Sequence, residues 1–278
     1  MMFTLTVSFL VTVLPAQGRA EGMTPATLLL VHGYVSDPDG WRDSGITGIL
    51  EANAWQRGGT FVAGVDGRLH LNAIPGNVPK RYYLADLPSE APLGYQAELL
   101  EGMISQLSQQ RPRALLYAVG HSAGGVALRL AMVRRPNPGI QGLITIASPH
   151  RGTESAKLAG FMAQTPMALM APFAGMGTLN RSRGLYADLT PEEPGNLLFW
   201  LNHSEHPKGH YLAIVRESGP LLAIDPIVSS DSQDLTRVQA LGRRAERVES
   251  GSGHSLEARD GNLIVEYLER WMATAMEP

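Results

Sequence analysis

The chain has 278 residues, 44% of them hydrophobic and 18% charged, with a formal net charge of −3. That is enough chain for one large buried core, and a mildly acidic surface without a basic cluster argues against a nucleic-acid partner. There is no cysteine, which excludes disulfides, thiolate metal sites, a lipid-anchoring thioether and a cysteine nucleophile.

Residues 3–14 form a mostly apolar run followed by Pro15-Ala16-Gln17-Gly18-Arg19-Ala20. The run is too short for an ordinary membrane span, which needs about 20 residues. It fits the apolar region of an export signal, with Gly18 and Ala20 at −3 and −1 of a cut before Glu21. No Lys or Arg precedes Phe3, so a mis-assigned start or an uncleaved anchor is the competing reading. The expectation is a secreted or periplasmic protein, with residues 1–20 removed and residues 21–278 forming one domain. The alternative is an N-terminal membrane anchor.

Residues 28–31, all apolar, run into His32-Gly33-Tyr34. A continuous apolar run closed by glycine predicts a buried strand of a parallel sheet. A polar loop over residues 35–40 leads to Trp41. Residues 46–55 predict a helix and residues 61–63 a strand. Residues 64–80, rich in Gly, Pro and Asn, predict a loop. A short strand follows over residues 81–87. Residues 93–107 predict a helix, with Leu99, Leu100, Met103, Ile104 and Leu107 on one buried face.

Residues 115–119 are strand formers that run straight into Gly120-His121-Ser122-Ala123-Gly124-Gly125, and residues 126–133 read as a helix ending near Pro136. Strand, tight turn and helix form the setting of a nucleophile elbow, which holds a serine in a strained conformation. Gly120 and Gly124 leave space where a Cβ would clash, and Gly125 lets the helix start close to the sheet. Ser122 is therefore the candidate nucleophile. Residues 140–147 predict the next strand, leading into Ser148-Pro149-His150-Arg151-Gly152-Thr153. This alternation implies a doubly wound, mostly parallel sheet.

Three motifs carry a family resemblance: Val31-His32-Gly33-Tyr34, Gly120-His121-Ser122-Ala123-Gly124-Gly125, and Ile146-Ala147-Ser148-Pro149-His150-Arg151-Gly152-Thr153. The chain resembles the α/β-hydrolase superfamily and, within it, the bacterial lipase and esterase branch. The third motif is also similar to a stretch of the inositol-deacylase-like lipases. The resemblance implies an oxyanion hole formed by the backbone N–H groups of Tyr34 and Ala123. It also implies a helical lid or cap in the insertion at residues 154–202. Methionines 162, 167, 170 and 176 there suit a surface that accepts varied acyl chains; a rigid cap packed on the core is the alternative.

His203, His206 and His210 sit close in sequence, but not at helical spacing and without a convincing acidic partner. They read as surface histidines rather than zinc ligands. Residues 211–215 predict a late strand. Asp225, Val228 and Ser232 are similar to the family's acid segment, with Pro226 in place of a glycine; this makes Asp225 the implied acid. Its rivals Asp231 and Asp234 read as solvated loop carboxylates. Residues 246–249 predict an edge strand, and residues 263–275 a closing helix. Between them, His254 lies in a loop flanked by glycines. The order Ser122, Asp225, His254 is that of the α/β hydrolases, so His254 is the implied base.

The chemistry expected is two-step acyl transfer to water on a lipid-like or acyl ester, without a cofactor. Some lipases of this branch bind calcium through an aspartate two residues after the histidine. Leu256 stands there, so calcium is not expected. The protein is expected to be a monomer that meets lipid only transiently, through the insertion. An amidase, thioesterase or transacylase on the same three residues is the enzymatic alternative. A non-catalytic binding protein on the same scaffold is the third.

Overall fold

A computed structural model describes residues 24–64, 68–135, 139–154, 181–216 and 225–275. The expected export signal, most of the apolar insertion and residues 217–224 lie outside the described residues.

The strands are β1 (Ala26–Val31), β2 (Gln56–Ala63), β3 (Leu69–Ala73), β4 (Lys80–Asp86), β5 (Leu115–His121), β6 (Ile140–Ile146), β7 (His210–Val215) and β8 (Ala245–Glu249). They form one eight-stranded sheet in the order β3-β2-β4-β1-β5-β6-β7-β8. Every pairing is parallel except β2 with β3. The sheet is covered on both faces, so a central strand must be apolar on both sides. β1 meets that demand: Leu29 and Val31 pack into one core layer, Leu28 and Leu30 into the other, and all four are fully buried.

The first layer is closed by α3 (Leu93–Gln110) and α4 (Ala123–Arg134). Leu93, Ala97, Leu100, Ile104 and Leu107 form the buried stripe of α3. α4 is buried almost all round, because α3 and the sheet enclose it. The opposite layer is closed by α1 (Gly40–Asp43), through Trp41, by α2 (Ile46–Ala52) and by the closing helix Ala258–Thr274. That last helix starts at a capping box, in which Glu257 and Asp260 satisfy each other's backbone N–H. Its Ile264, Leu268 and Trp271 face the sheet, and Trp271 stacks on Tyr117 with ring centroids 6.1 Å apart.

Three expectations need correction. β3 lies inside the stretch expected to be loop. Leu69 and Leu71 alternate with His70 and Asn72, so one face of this short edge strand packs on the core rim. The run is too brief, and its flanks too rich in glycine, for that period to stand out. His206 is buried rather than on the surface, whereas His203 stacks on Phe199 at 4.1 Å and His210 on Trp271 at 5.0 Å. Asp234 is also buried; it caps the turn Leu235–Arg237 and pairs with Arg247 at 3.4 Å.

Candidate functional site

The parallel strands deliver their C-terminal ends, and the loops beyond them, to one edge of the sheet. In doubly wound sheets, ligands bind outside that edge. The candidate residues all lie there: Tyr34 beyond β1, Ser122 beyond β5, Asp225 beyond β7 and His254 beyond β8.

Ser122 sits at φ 50° and ψ −129°, between β5 and α4. A residue with a side chain rarely holds a positive φ unless its surroundings enforce it. Here the packing does so. A Cβ on Gly120 would lie 2.4 Å from Gly125 Cα, and one on Gly124 would lie 2.2 Å from the His32 carbonyl oxygen. β5, the turn and the start of α4 are therefore pressed together, and the serine is left at the apex. Its N–H donates to Ile146 O at 2.9 Å, which ties the turn to β6.

Ser122 Oγ lies 2.8 Å from His254 Nε2, and His254 Nδ1 lies 2.7 Å from Asp225 Oδ2. A carboxylate only accepts, so Nδ1 carries the proton. In the neutral ring, Nε2 is then the acceptor for the serine hydroxyl. The Asp225 carboxylate takes three further donors: the backbone N–H groups of Ile227 at 2.8 Å and Val228 at 3.0 Å on Oδ1, and Gln233 Nε2 at 3.0 Å on Oδ2. The rival acids do not meet the histidine; Asp231 is exposed and pairs with Arg237 at 3.2 Å.

The Ser148-Pro149-His150-Arg151-Gly152-Thr153 loop supports the Asp225 segment from beneath. Ser232 Oγ donates to Gly152 O at 2.6 Å, and Thr153 Oγ1 donates to Ile227 O. His150 itself is fully buried and bonds Thr145 Oγ1 at 3.0 Å, so it is part of the core.

The loop beyond β1 lies against the serine: a Cβ on Gly33 would sit 2.8 Å from Ser122 Cβ. Tyr34 anchors this loop through its hydroxyl, which bonds Ser182 Oγ at 3.0 Å and Tyr186 OH at 2.6 Å. Ala123 is the first residue of α4, where the backbone N–H has no acceptor within its own helix. A cavity of about 350 Å³ opens in front of the serine, walled by Tyr34, Val35, Ser36, Ile227, His254 and Leu256. A larger cleft, about 930 Å³, opens at the opposite end of the sheet beside Ile140, His206 and Arg244, where among the described residues no nucleophile meets a base.

The sequence reading missed four side chains around the site. His121 is buried, and its Nε2–H donates to the His254 carbonyl at 2.8 Å. Burial, and secondarily the neighbouring His254, push its pKa down to about 3, so its ring stays neutral beside the candidate base. Arg216, Gln233 and Asp260 hold the acid and base loops. The capping-box spacing of Glu257 and Asp260 was a legible local signal. Nothing local marked Arg216 or Gln233.

No protein-family model and no curated sequence matches the chain. Solved structures do. A chain from Lactobacillus plantarum WCFS1 assigned as a cell surface hydrolase is 18% identical, with a TM-score of 0.52, covering 92% of this chain and 95% of that one. The Pyrococcus furiosus esterase Pf2001 is 15% identical, with a TM-score of 0.54 and coverage of 90% and 83%. The Bacillus licheniformis lipase BlEst2 in its propeptide form is 15% identical, with a TM-score of 0.56; the match covers 88% of this chain and 50% of that longer one. With its sheet order and crossovers, the chain has the α/β-hydrolase fold. Among the described residues, no helix is long and apolar enough to cross a membrane, and no group of three His, Asp or Glu could hold a metal ion.

Proposed function

We propose that the protein is a serine hydrolase that cleaves carboxylic esters of acyl or lipid-like substrates. The observation that carries this reading is the unbroken chain from Ser122 Oγ through His254 to Asp225 at the mouth of the cavity. A free serine hydroxyl is a weak nucleophile, and a neutral imidazole at hydrogen-bond distance activates it.

In the first step, Ser122 Oγ attacks the ester carbonyl carbon while His254 Nε2 takes its proton. The tetrahedral oxyanion is held by the N–H groups of Tyr34 and Ala123, each such donor contributing roughly 3–4 kcal/mol to the transition state. His254 then gives the proton to the departing alkoxide, and an acyl group remains on Ser122. Water repeats the sequence and releases the acid. Asp225 fixes the ring tautomer and stabilises the imidazolium while it exists.

The insertion is proposed to cap the acyl side of the cavity. In support, its described end reaches the site: Ser182 and Tyr186 hold the hydroxyl of Tyr34. Leu185, Leu198 and Leu201 in that end are fully buried, so residues 181–202 form a fixed base for the cap. Export is part of the proposal; the apolar run at residues 3–14 supports it, and the chain from Lactobacillus plantarum assigned to the cell surface agrees with it.

The test is turnover of p-nitrophenyl esters over a series of acyl lengths, with matched amides and thioesters alongside. Faster turnover of the esters is expected, rising with acyl length and at an oil–water interface. Higher activity on the amides or thioesters would overturn the ester assignment. A preference for short esters without interfacial gain would remove its lipid-like half.

A further inference from the structure

We propose that the buried Arg216–Asp260 pair is a positioning device that holds the His254 loop, and through Gln233 the Asp225 carboxylate, in register with Ser122. The mechanistic consequence rests on the hydrolase reading above; the positioning itself does not.

Both side chains are fully buried. Arg216 Nη1 lies 2.7 Å from Asp260 Oδ1 and Nη2 lies 3.0 Å from Asp260 Oδ2, a two-pronged pair. Such a pair is weak evidence of stabilisation, because removing two charges from water costs several kcal/mol per ion. A second use of the guanidinium accounts for it better. Nη1 also donates to Ser250 O at 3.0 Å, and Nη2 donates to Ser255 O. Those two carbonyls bracket the segment that carries His254.

That segment needs an external brace. It contains no regular secondary structure, and Gly251 and Gly253 sit at φ 75° and φ 65°. The loop is also wrapped close on the guanidinium, since a Cβ on Gly251 would lie 2.6 Å from Arg216 Nη1. Only a planar, forked donor set serves two carboxylate oxygens and two diverging carbonyls together. Asp260 stiffens the fork in turn, because its Oδ2 accepts the Glu257 N–H at 2.9 Å and so belongs to the start of the closing helix.

The same residue reaches the acid. The Arg216 backbone N–H donates to Gln233 Oε1 at 2.9 Å, and Gln233 Nε2 donates to Asp225 Oδ2 at 3.0 Å. One residue at the end of β7 therefore fixes both partners of the 2.7 Å bond between His254 and Asp225. A misplacement of about 1 Å in such a constellation costs roughly 100-fold in rate.

The test is the double variant Arg216→Met/Asp260→Asn, which leaves no unpaired buried charge. A second variant, Arg216→Lys, keeps the charge but lacks the fork, in case the double variant does not fold. Two readouts are taken. The first is the low-field proton resonance of His254 Nδ1–H, identified by its absence in His254→Ala; it reports the His254–Asp225 bond whatever the protein hydrolyses. It is expected to vanish or broaden in both variants while the thermal midpoint stays near that of the parent. The second is ester turnover, with kcat expected to fall roughly 100-fold and KM to stay within about threefold. A retained resonance in a folded variant would overturn the proposal, as would kcat within threefold of the parent. A parent protein that shows the resonance but hydrolyses no ester would instead count against the hydrolase reading and leave the brace to be decided by the resonance.

Discussion

Ser122 and His254 lie 2.8 Å apart, yet the two are held in place by different means. The serine turn is fixed by backbone: β5, α4 and the glycines between them leave one conformation, with φ 50° at the apex. The histidine loop is fixed by side chains that arrive from elsewhere, His121 from β5, Arg216 from β7 and Asp260 from the closing helix. A backbone-defined turn is written in adjacent residues, and any disturbance of it is steric. A side-chain-braced loop is written in residues scattered over 140 positions, and a disturbance of it loosens aim before it unfolds the chain.

The largest expected effect breaks both regions at their meeting point. Ser122→Ala and His254→Ala should each lower kcat by roughly 10⁵–10⁶-fold, and the double variant should be no worse, because the two act as one unit. Steady-state kinetics on a soluble ester checks this; multiplied losses would show that they act separately. Asp225→Asn should cost roughly 10⁴-fold by presenting the wrong tautomer to the serine, with KM little changed.

Next comes the steric side alone. Gly124→Ala places a Cβ 2.2 Å from the His32 carbonyl, so the turn and the β1 loop must separate. A loss of about 3 kcal/mol or more in urea unfolding is expected, together with loss of activity. An unchanged midpoint would show that this contact is soft.

A pH change acts on the buried imidazoles. Burial lowers the pKa of His121 and His206 to about 3 and that of His150 well below its usual value. Between pH 6.5 and these folded values, the unfolded chain binds protons that the folded chain refuses. The stabilisation is therefore complete above pH 6.5 and is lost as pH falls. From pH 7 to pH 5, His121 and His206 should each cost roughly 2 kcal/mol, with His150 acting in the same direction, read as a lower urea midpoint. Equal midpoints at the two pH values would contradict their burial as neutral rings.

The smallest effect is the most selective. Tyr34→Phe removes the hydroxyl bonds to Ser182 and Tyr186 but keeps the backbone N–H. Stability should fall by about 1 kcal/mol, and kcat by no more than a few-fold. A 100-fold fall in kcat would place the hydroxyl itself in the chemistry.

The same contrast explains what the sequence could tell. The elements around Ser122 were legible because their signals are local: a both-faces apolar run for β1, a 3.6-residue stripe for α3, and close-packing glycines for the elbow. Asp225 followed from its segment's likeness to the family's acid segment and His254 from its order in the chain, not from physical necessity. The brace was not legible: the capping-box spacing marks Asp260 as part of a helix start, but nothing local names Arg216 as its partner until the fold buries the two against each other. His206 and Asp234 misled for the same reason in reverse: polar residues near turns, they are drawn inside by tertiary packing that no neighbouring residue announces. β3 escaped notice because a five-residue edge strand offers too few turns of its period.

In the proposed reaction Ser122 is an activated nucleophile whose base is His254. The most direct test is covalent labelling by a fluorophosphonate, with the modified peptide identified by mass spectrometry. A single adduct on Ser122 is expected, formed rapidly in the intact protein and lost in both Ser122→Ala and His254→Ala. An adduct on another residue, or labelling that survives in folded His254→Ala, would contradict it.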